Sequence, residues 1–466
     1  MKIALVRYHD LGNINTRLPE SLNAVRGVLP PLGLAYVASA LLQAGFQVIV
    51  VDAPAMGYSG EEVRNILLRF APKLVGVPAM TSTFFGALEA CRIAHECGAV
   101  TVMGGVQLEI FPEETLTYES IDFGIRGEAE VAMVKLAQAI RDGTGYGDIP
   151  GLVYRDQGKV TVRDCAIIDD LDTIPAPARH LLPIRRYSSI ISRHPVTTMI
   201  ASRGCPWQCH FCFKQHADTR IRYRSPAAVL EEMRDITDRY GVREIMFYDD
   251  TFTHKREFIL ALCEQILSSG LRVFWEAPSR VDRVDREMLA LMKRAGCYRL
   301  RFGVESGDQG ILDLMNKKTT LDQIEKAFAD AREAGMETFA YFMIGYLTET
   351  EATTRSTIRF ARKIRPDLVM FTVATPYPGT PLYMRAQELG IIHGDYWREF
   401  ILGTRSDRLP YLVDGAEKMI RQAYRSVYFD PSFVLRRVMR IRGMHDIANA
   451  MTALRGLLGF AVQPQD

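Results

Sequence analysis

Cys205-Pro206-Trp207-Gln208-Cys209-His210-Phe211-Cys212 brings three thiols into one short stretch. The apolar run Thr198 to Ala201 ahead of it reads as a buried strand, and Ser202-Arg203-Gly204 as its exit turn. The three sulfurs therefore share a loop at a strand end, short enough to wrap one soft metal centre. The next cysteine, Cys263, is far along the chain. Three ligands and a vacant corner suit a [4Fe-4S] cluster whose fourth iron holds a substrate or cofactor, in preference to one that only passes electrons. The competing reading is a structural zinc site completed by His210 or a distant residue. Zinc sites are usually built from two spaced pairs, and the sequence carries no second pair.

Downstream, the chain repeats strand then helix as far as about Leu389. Strands are expected at Thr198–Ala201, Glu244–Phe247, Val273–Ala277, Arg299–Val304, Thr338–Ile344 and Leu368–Ala374. In barrels of such units the active site gathers at the C-terminal strand ends. The polar residues there are Asp249 and Asp250, Ser279 and Arg280, and Glu305 and Ser306. Capping competes for Asp250 and Thr251, and an ion pair with Asp282 or Asp285 competes for Arg280. Pro376-Tyr377-Pro378-Gly379-Thr380-Pro381-Leu382 would fix a rigid loop over the barrel mouth.

The Cys-x3-Cys-x2-Cys spacing, with Phe211 just before the last cysteine, resembles the signature of the radical S-adenosylmethionine (SAM) enzymes. The resemblance implies a partial (β/α)6 barrel over residues 196–410, with Cys205, Cys209 and Cys212 as metal ligands and catalytic centre. It implies that the open iron chelates SAM, and that the reduced cluster cleaves SAM to methionine and a 5′-deoxyadenosyl radical. It implies SAM contacts from Phe211 and from Asp249 to the amino group. Arg280 would meet the carboxylate, Glu305 and Ser306 the ribose or methionine part, and Gly345 the adenine.

Residues 1–142 alternate short apolar runs with amphipathic segments: strands at Ile3 to Val6, Val48 to Val51, Leu74 to Val77 and Val100 to Met103, and a helix over Leu32 to Ala44. Apolar residues at consecutive positions indicate a parallel sheet covered on both faces, hence a doubly wound (Rossmann-like) α/β domain. Its ligand end is Asp52 to Gly57, Ala79 to Phe84, Gly104 to Val106 and Arg126 to Glu128. Ahead of a radical SAM core, such a domain resembles the cobalamin-binding domain of cobalamin-dependent radical SAM enzymes. That resemblance implicates Ser82, Thr83, Gly104, Gly105 and Glu128. One departure stands out. Where other cobalamin domains place a cobalt-ligating histidine, Asp52-Ala53-Pro54-Ala55-Met56-Gly57 has Pro54, so no histidine of this loop would hold the metal's lower face.

Residues 143–195, with clustered Gly and Pro and a hairpin around Asp156-Gln157-Gly158, read as a surface linker. Residues 411–466 read as a helical tail. Val434, Val438, Ile441, Met444, Ala448, Met451, Leu454 and Leu458 recur at helical spacing among Arg436, Arg437, Arg440, Arg442 and Arg455. That stripe either covers the barrel or touches a membrane surface. A 466-residue chain that is 48% hydrophobic builds two or three cores, and a net charge of +2 makes no general case for nucleic acid. Met1 to Val6 is too short for a signal peptide, and free thiols suit a reducing, cytoplasmic compartment.

The function expected is methylation of an unactivated carbon: hydrogen abstraction by the 5′-deoxyadenosyl radical, then methyl transfer from methylcobalamin. A flavodoxin- or ferredoxin-type electron donor and a small-molecule substrate are implied. The alternatives are an oxidative cyclase of the anaerobic Mg-protoporphyrin monomethyl ester type, which the chain also resembles, and a non-catalytic iron–sulfur or zinc protein.

Overall fold

A computed structural model describes residues 1–9, 27–189, 191–192, 195–214, 220–439 and 451. The first sheet has the order β2-β1-β3-β4-β5-β6-β7. Its strands are β1 (Lys2–Arg7), β2 (Gln47–Asp52), β3 (Leu74–Pro78), β4 (Val100–Gly104), β5 (Phe123–Ile125), β6 (Leu152–Asp156) and β7 (Lys159–Val162). β1 to β5 are parallel, and helices Leu32–Gln43, Phe84–Glu96 and Ala129–Asp142 cover their faces.

The segment read as a surface linker does more than link. Its hairpin, β6 and β7, joins the sheet antiparallel to β5, because a short edge strand leaves backbone groups that a hairpin can pair. Beyond it the connector is partly buried: Leu171, Ala178, Leu182 and Tyr187 are in the core. Tyr187 donates to Asp52 Oδ2 at 2.8 Å, and Arg179 pairs with Glu232 at 2.5 Å. The connector thus fastens both domains.

The second sheet holds β8 (Val196–Met199), β11 (Glu244–Phe247), β12 (Phe274–Ser279), β13 (Cys297–Glu305), β14 (Glu337–Ile344) and β15 (Leu368–Val373). All pairings are parallel, in the order β15-β14-β13-β12-β11-β8. This is the expected six-stranded partial barrel, and every expected strand lies within a few residues of an observed one. Phe247, Trp275, Leu300, Phe302, Phe342 and Phe371 pack outward against the helices. The alternate positions line the concave face. Ser202-Arg203, read as a turn, is instead a strand, β9 (Ser202–Arg203), paired antiparallel with β10 (Arg222–Tyr223). This ribbon brackets the cysteine loop.

Helix Ala416–Tyr428 closes the barrel's side, with Met419, Ile420, Ala423, Tyr424 and Val427 in the core. Helix Pro431–Val438 follows. Of the tail's periodic stripe, Val434, Val438 and Met451 are exposed, and its other members, from Ile441 onward, lie outside the described residues. Among the described residues no helix is long and apolar enough to cross a membrane.

Candidate active site at the cysteine loop

The loop is tied at its ends and its middle. Gly204 opens it at φ +96°, where a Cβ would clash with the Arg220 carbonyl. Farther along, the His210 backbone N–H donates to Met315 O at 3.0 Å, and Asn316 Nδ2 to Gln208 O at 2.7 Å. Leu382, in the first turn of helix Pro381–Glu388 that follows the Pro-Gly stretch, donates its N–H to His210 O at 2.9 Å. His210 Nδ1 sits 2.9 Å from Leu314 O, so this ring is used to hold the loop. Cys209 is buried, and Cys205 and Cys212 are half-buried.

Burial raises the thiol pKa of Cys209, while the charges of Lys317 and Arg280 pull it back. Burial, then the neighbouring Cys209 and Glu305, push Cys212 up to about 12. Among the described residues no three His, Cys, Asp or Glu side chains gather on one point as a single ion requires. A cluster takes one thiolate per iron, so its ligands need not meet. Three thiols on one pinned loop, with two cations beside the buried one, fit that donor set.

Two cation assemblies flank the loop. Arg280 is buried and stacks 3.8 Å from the Trp207 ring centre, pairs with Asp282 at 2.9 Å and donates to Lys317 O at 2.8 Å. The expected competitor, an ion pair with Asp282, is therefore present, though buried. Lys317 Nζ pairs with Glu305 at 2.7 Å and lies 5.8 Å from the Phe211 ring centre. Glu305 itself adopts φ +66° at a register shift of β13. Burial lowers the Lys317 pKa, but Glu305 and Cys209 outweigh it, so the ammonium is held charged.

Other residues expected to meet SAM also hold the scaffold. Asp249 is buried and accepts from the Ala201 N–H at 3.1 Å and from Ser202 Oγ at 2.5 Å. It ties the end of β11 to the entry of the cysteine loop, and burial against those bonds pushes its carboxyl up to about 7. Ser306 is fully buried, sharing a hydrogen bond with Thr357 and accepting from the Asp308 N–H. Gly345 donates its N–H to Glu349 and packs where a Cβ would meet Ala416 at 2.8 Å.

The ligand end of the first sheet faces the same region. Gly105 has φ +99° and ψ −171°, a conformation essentially restricted to glycine, and a Cβ there would lie 2.6 Å from Ala79 O. Gly105→Ala is expected to cost about 2 kcal/mol, read as a lower thermal midpoint. At Gly104 a Cβ would meet nothing nearer than 3.7 Å. Ser82 is buried, and Thr83 Oγ1 accepts from the Met80 N–H. Between them and the strand, Thr81 Oγ1 is buried with no partner among the described residues. Small residues and an unmet hydroxyl at this edge fit a polar ligand tail. Glu128 does not reach this edge as a free group: Arg203, Arg222 and the Ile168 N–H use its oxygens. Pro54 lies in the short helix Ala53–Met56.

Reading the sequence alone misses Lys317, the stacking of Trp207 under Arg280, and the concave-face charges. On that face Arg299 pairs with Glu276 at 2.8 Å and Glu337 at 2.9 Å, and Arg301 lies 3.6 Å from Glu276 and 5.2 Å from the Tyr248 ring centre. The available signal was Arg299-Leu300-Arg301: two charges at period two inside an apolar strand.

The family model of the Radical SAM superfamily matches residues 199–361, and that of the B12 binding domain matches residues 22–137. An uncharacterized methyltransferase of Pyrococcus horikoshii is 32% identical, over 95% of this chain and 97% of that one. An anaerobic magnesium-protoporphyrin IX monomethyl ester cyclase of Rubrivivax gelatinosus is 31% identical, over 78% of this chain and 67% of that one. Among solved structures, the radical S-adenosylmethionine methyltransferase TsrM of Kitasatospora setae, with cobalamin and a [4Fe-4S] cluster bound, superposes with a TM-score of 0.74. It is 17% identical, and the match covers 98% of this chain and 99% of that one.

Proposed function

The chain belongs to the cobalamin-dependent radical SAM enzymes, and on that premise we propose that it methylates an unactivated carbon of a small molecule. The observation that carries this reading is the near full-length match to a methyltransferase, covering both domains. Bound to this chain, a [4Fe-4S] cluster, SAM and cobalamin supply the radical initiator and the methyl carrier.

The chain's own groups have separable tasks. Cys205, Cys209 and Cys212 hold the cluster. Arg280 and Lys317 keep positive charge beside Cys209, which favours thiolate there. Phe211, Glu305 and Arg280 contact SAM, with Asp249, Ser306 and Gly345 fixing the strand ends they stand on. Ser82, Thr83, Gly104 and Gly105, joined by Thr81, hold the cobalamin tail, and Glu128 orients that edge through Arg203. The concave face seats the substrate, and the Pro-Gly loop over the mouth excludes water from it. A one-electron donor serves the cluster in a reducing, cytoplasmic setting. The exposed apolar and basic residues of helix Pro431–Val438 give peripheral contact with a membrane surface.

Incubation with SAM bearing a deuterated methyl group tests the reaction. Label in the product supports methylation. Product without label favours the cyclase reading, for which the Rubrivivax relative speaks.

A further inference from the structure

At the N-terminal ends of β14 and β15, opposite the cysteine loop, three arginines face one cavity of about 290 Å3: Arg332, Arg365 and Arg436. Asp367 and Thr338 complete its polar wall. Much of that one carboxylate is spent on the barrel, because Asp367 Oδ2 accepts from the Thr338 N–H at 2.9 Å and lies 3.4 Å from the Thr338 hydroxyl. Among the described residues Arg332 reaches a carbonyl, Ile364 O at 2.7 Å, and Arg436 a hydroxyl, Ser432 Oγ at 3.2 Å. Arg365, at φ +52° where helix Glu351–Ile364 ends, has a side chain in no ion pair among the described residues. Burial and then repulsion from Arg365 hold the Arg436 guanidinium below its ordinary pKa, against the pull of Asp367. Arg332 and Arg365 stand exposed at the cavity's rim and Arg436 is half-buried, so three guanidiniums and one lining carboxylate give the cavity a net positive wall.

We propose that this cavity binds a phosphate group. A guanidinium fork matches two oxygens of a tetrahedral anion, and several forks can share one phosphate, whereas a carboxylate satisfies one. A dianionic monoester also suits that net positive wall. The group can arrive free or on a lipid headgroup, since Val434, Leu435 and Val438 stand exposed on the adjoining helix. The site is remote from the cysteine loop and independent of the methyl-transfer reading.

The test titrates inorganic phosphate into the full-length, reconstituted protein at constant ionic strength. It also measures co-sedimentation with phosphatidylcholine vesicles with and without phosphatidic acid. One phosphate per chain is expected. Arg365→Gln, an exposed position whose replacement leaves the barrel intact, is expected to weaken binding about tenfold, as is Arg436→Gln, with SAM cleavage unchanged. Pelleting only with phosphatidic acid, reversed by phosphate, assigns the lipid source; phosphate binding without pelleting assigns the soluble one. Neither phosphate nor vesicles binding, or binding that Arg365→Gln leaves intact, overturns the proposal.

Discussion

Cys209→Ala protein, reconstituted anaerobically with iron and sulfide, is expected to lose its visible iron–sulfur absorbance and all formation of 5′-deoxyadenosine. The reason is stoichiometric: two thiolates cannot hold a cluster in place of three, and the imidazole next to the lost thiol, His210, is engaged with Leu314 O. The chain should still fold. Alanine fits the same buried space, and the loop's ties run through the His210 backbone, Gln208 O and Leu382, which the substitution leaves alone. Unfolding of the metal-free variant at the wild-type midpoint, together with absent iron, is therefore the expected pair of results. Full SAM cleavage by this variant would sink the assignment of the loop.

Lys317→Met separates the loop's electrostatics from its ligands. Glu305 would keep its place beside Cys209 without its cation, and leaving one partner of a buried pair costs about 3–5 kcal/mol. Iron should still load, because all three thiols remain. SAM cleavage should fall, with Lys317→Arg recovering part of it. Loss of iron along with activity would instead make Lys317 a structural support of the loop.

The barrel was legible because each of its strands is a short apolar run between polar turns, and the three thiols because their spacing is local. What stayed hidden depends on distance in sequence. Lys317 lies far from Cys212 in the chain and reaches Phe211 only because the turn after helix Gln309–Leu314 folds back against the loop. Asp249 looked free to bind a ligand, since nothing local reveals that β8 ends beside it and supplies donors. Glu128 opened a helix at a ligand edge, where a free carboxylate is a fair expectation. Its partners, Arg203 and Arg222, belong to a two-residue ribbon too short to show a period. The hairpin of β6 and β7 was read correctly as local structure and misplaced, because a hairpin's own sequence does not name the edge it joins.

That ribbon carries the second large effect. Arg203 spans the two domains: its guanidinium pairs with Glu128 at 3.0 Å and Glu130 at 2.5 Å, under the Tyr36 ring. It is also two residues from Cys205, so the strap between the domains and the loop share one backbone. Arg203→Met is expected to leave Glu130 buried without its cation, at a cost of about 3–5 kcal/mol. Glu128 keeps Arg222. Burial raises the Glu128 pKa, but Arg222 and Arg203 outweigh it, and the carboxyl is held below its ordinary value. A depressed folded pKa gives stability present at neutral pH and lost as pH falls through that value. Arg203→Met should therefore flatten the acid limb of the stability profile as well as lower its plateau. Catalysis should divide in the same way. SAM cleavage needs the barrel and its loop, and stays near the wild-type rate. Methyl transfer needs both domains in register, and a small displacement of a reacting centre costs about a hundredfold. Arg203→Lys, which keeps a charge but no fork, should fall between. Equal loss of both activities would mean that Arg203 supports the loop itself and not the docking of the two domains.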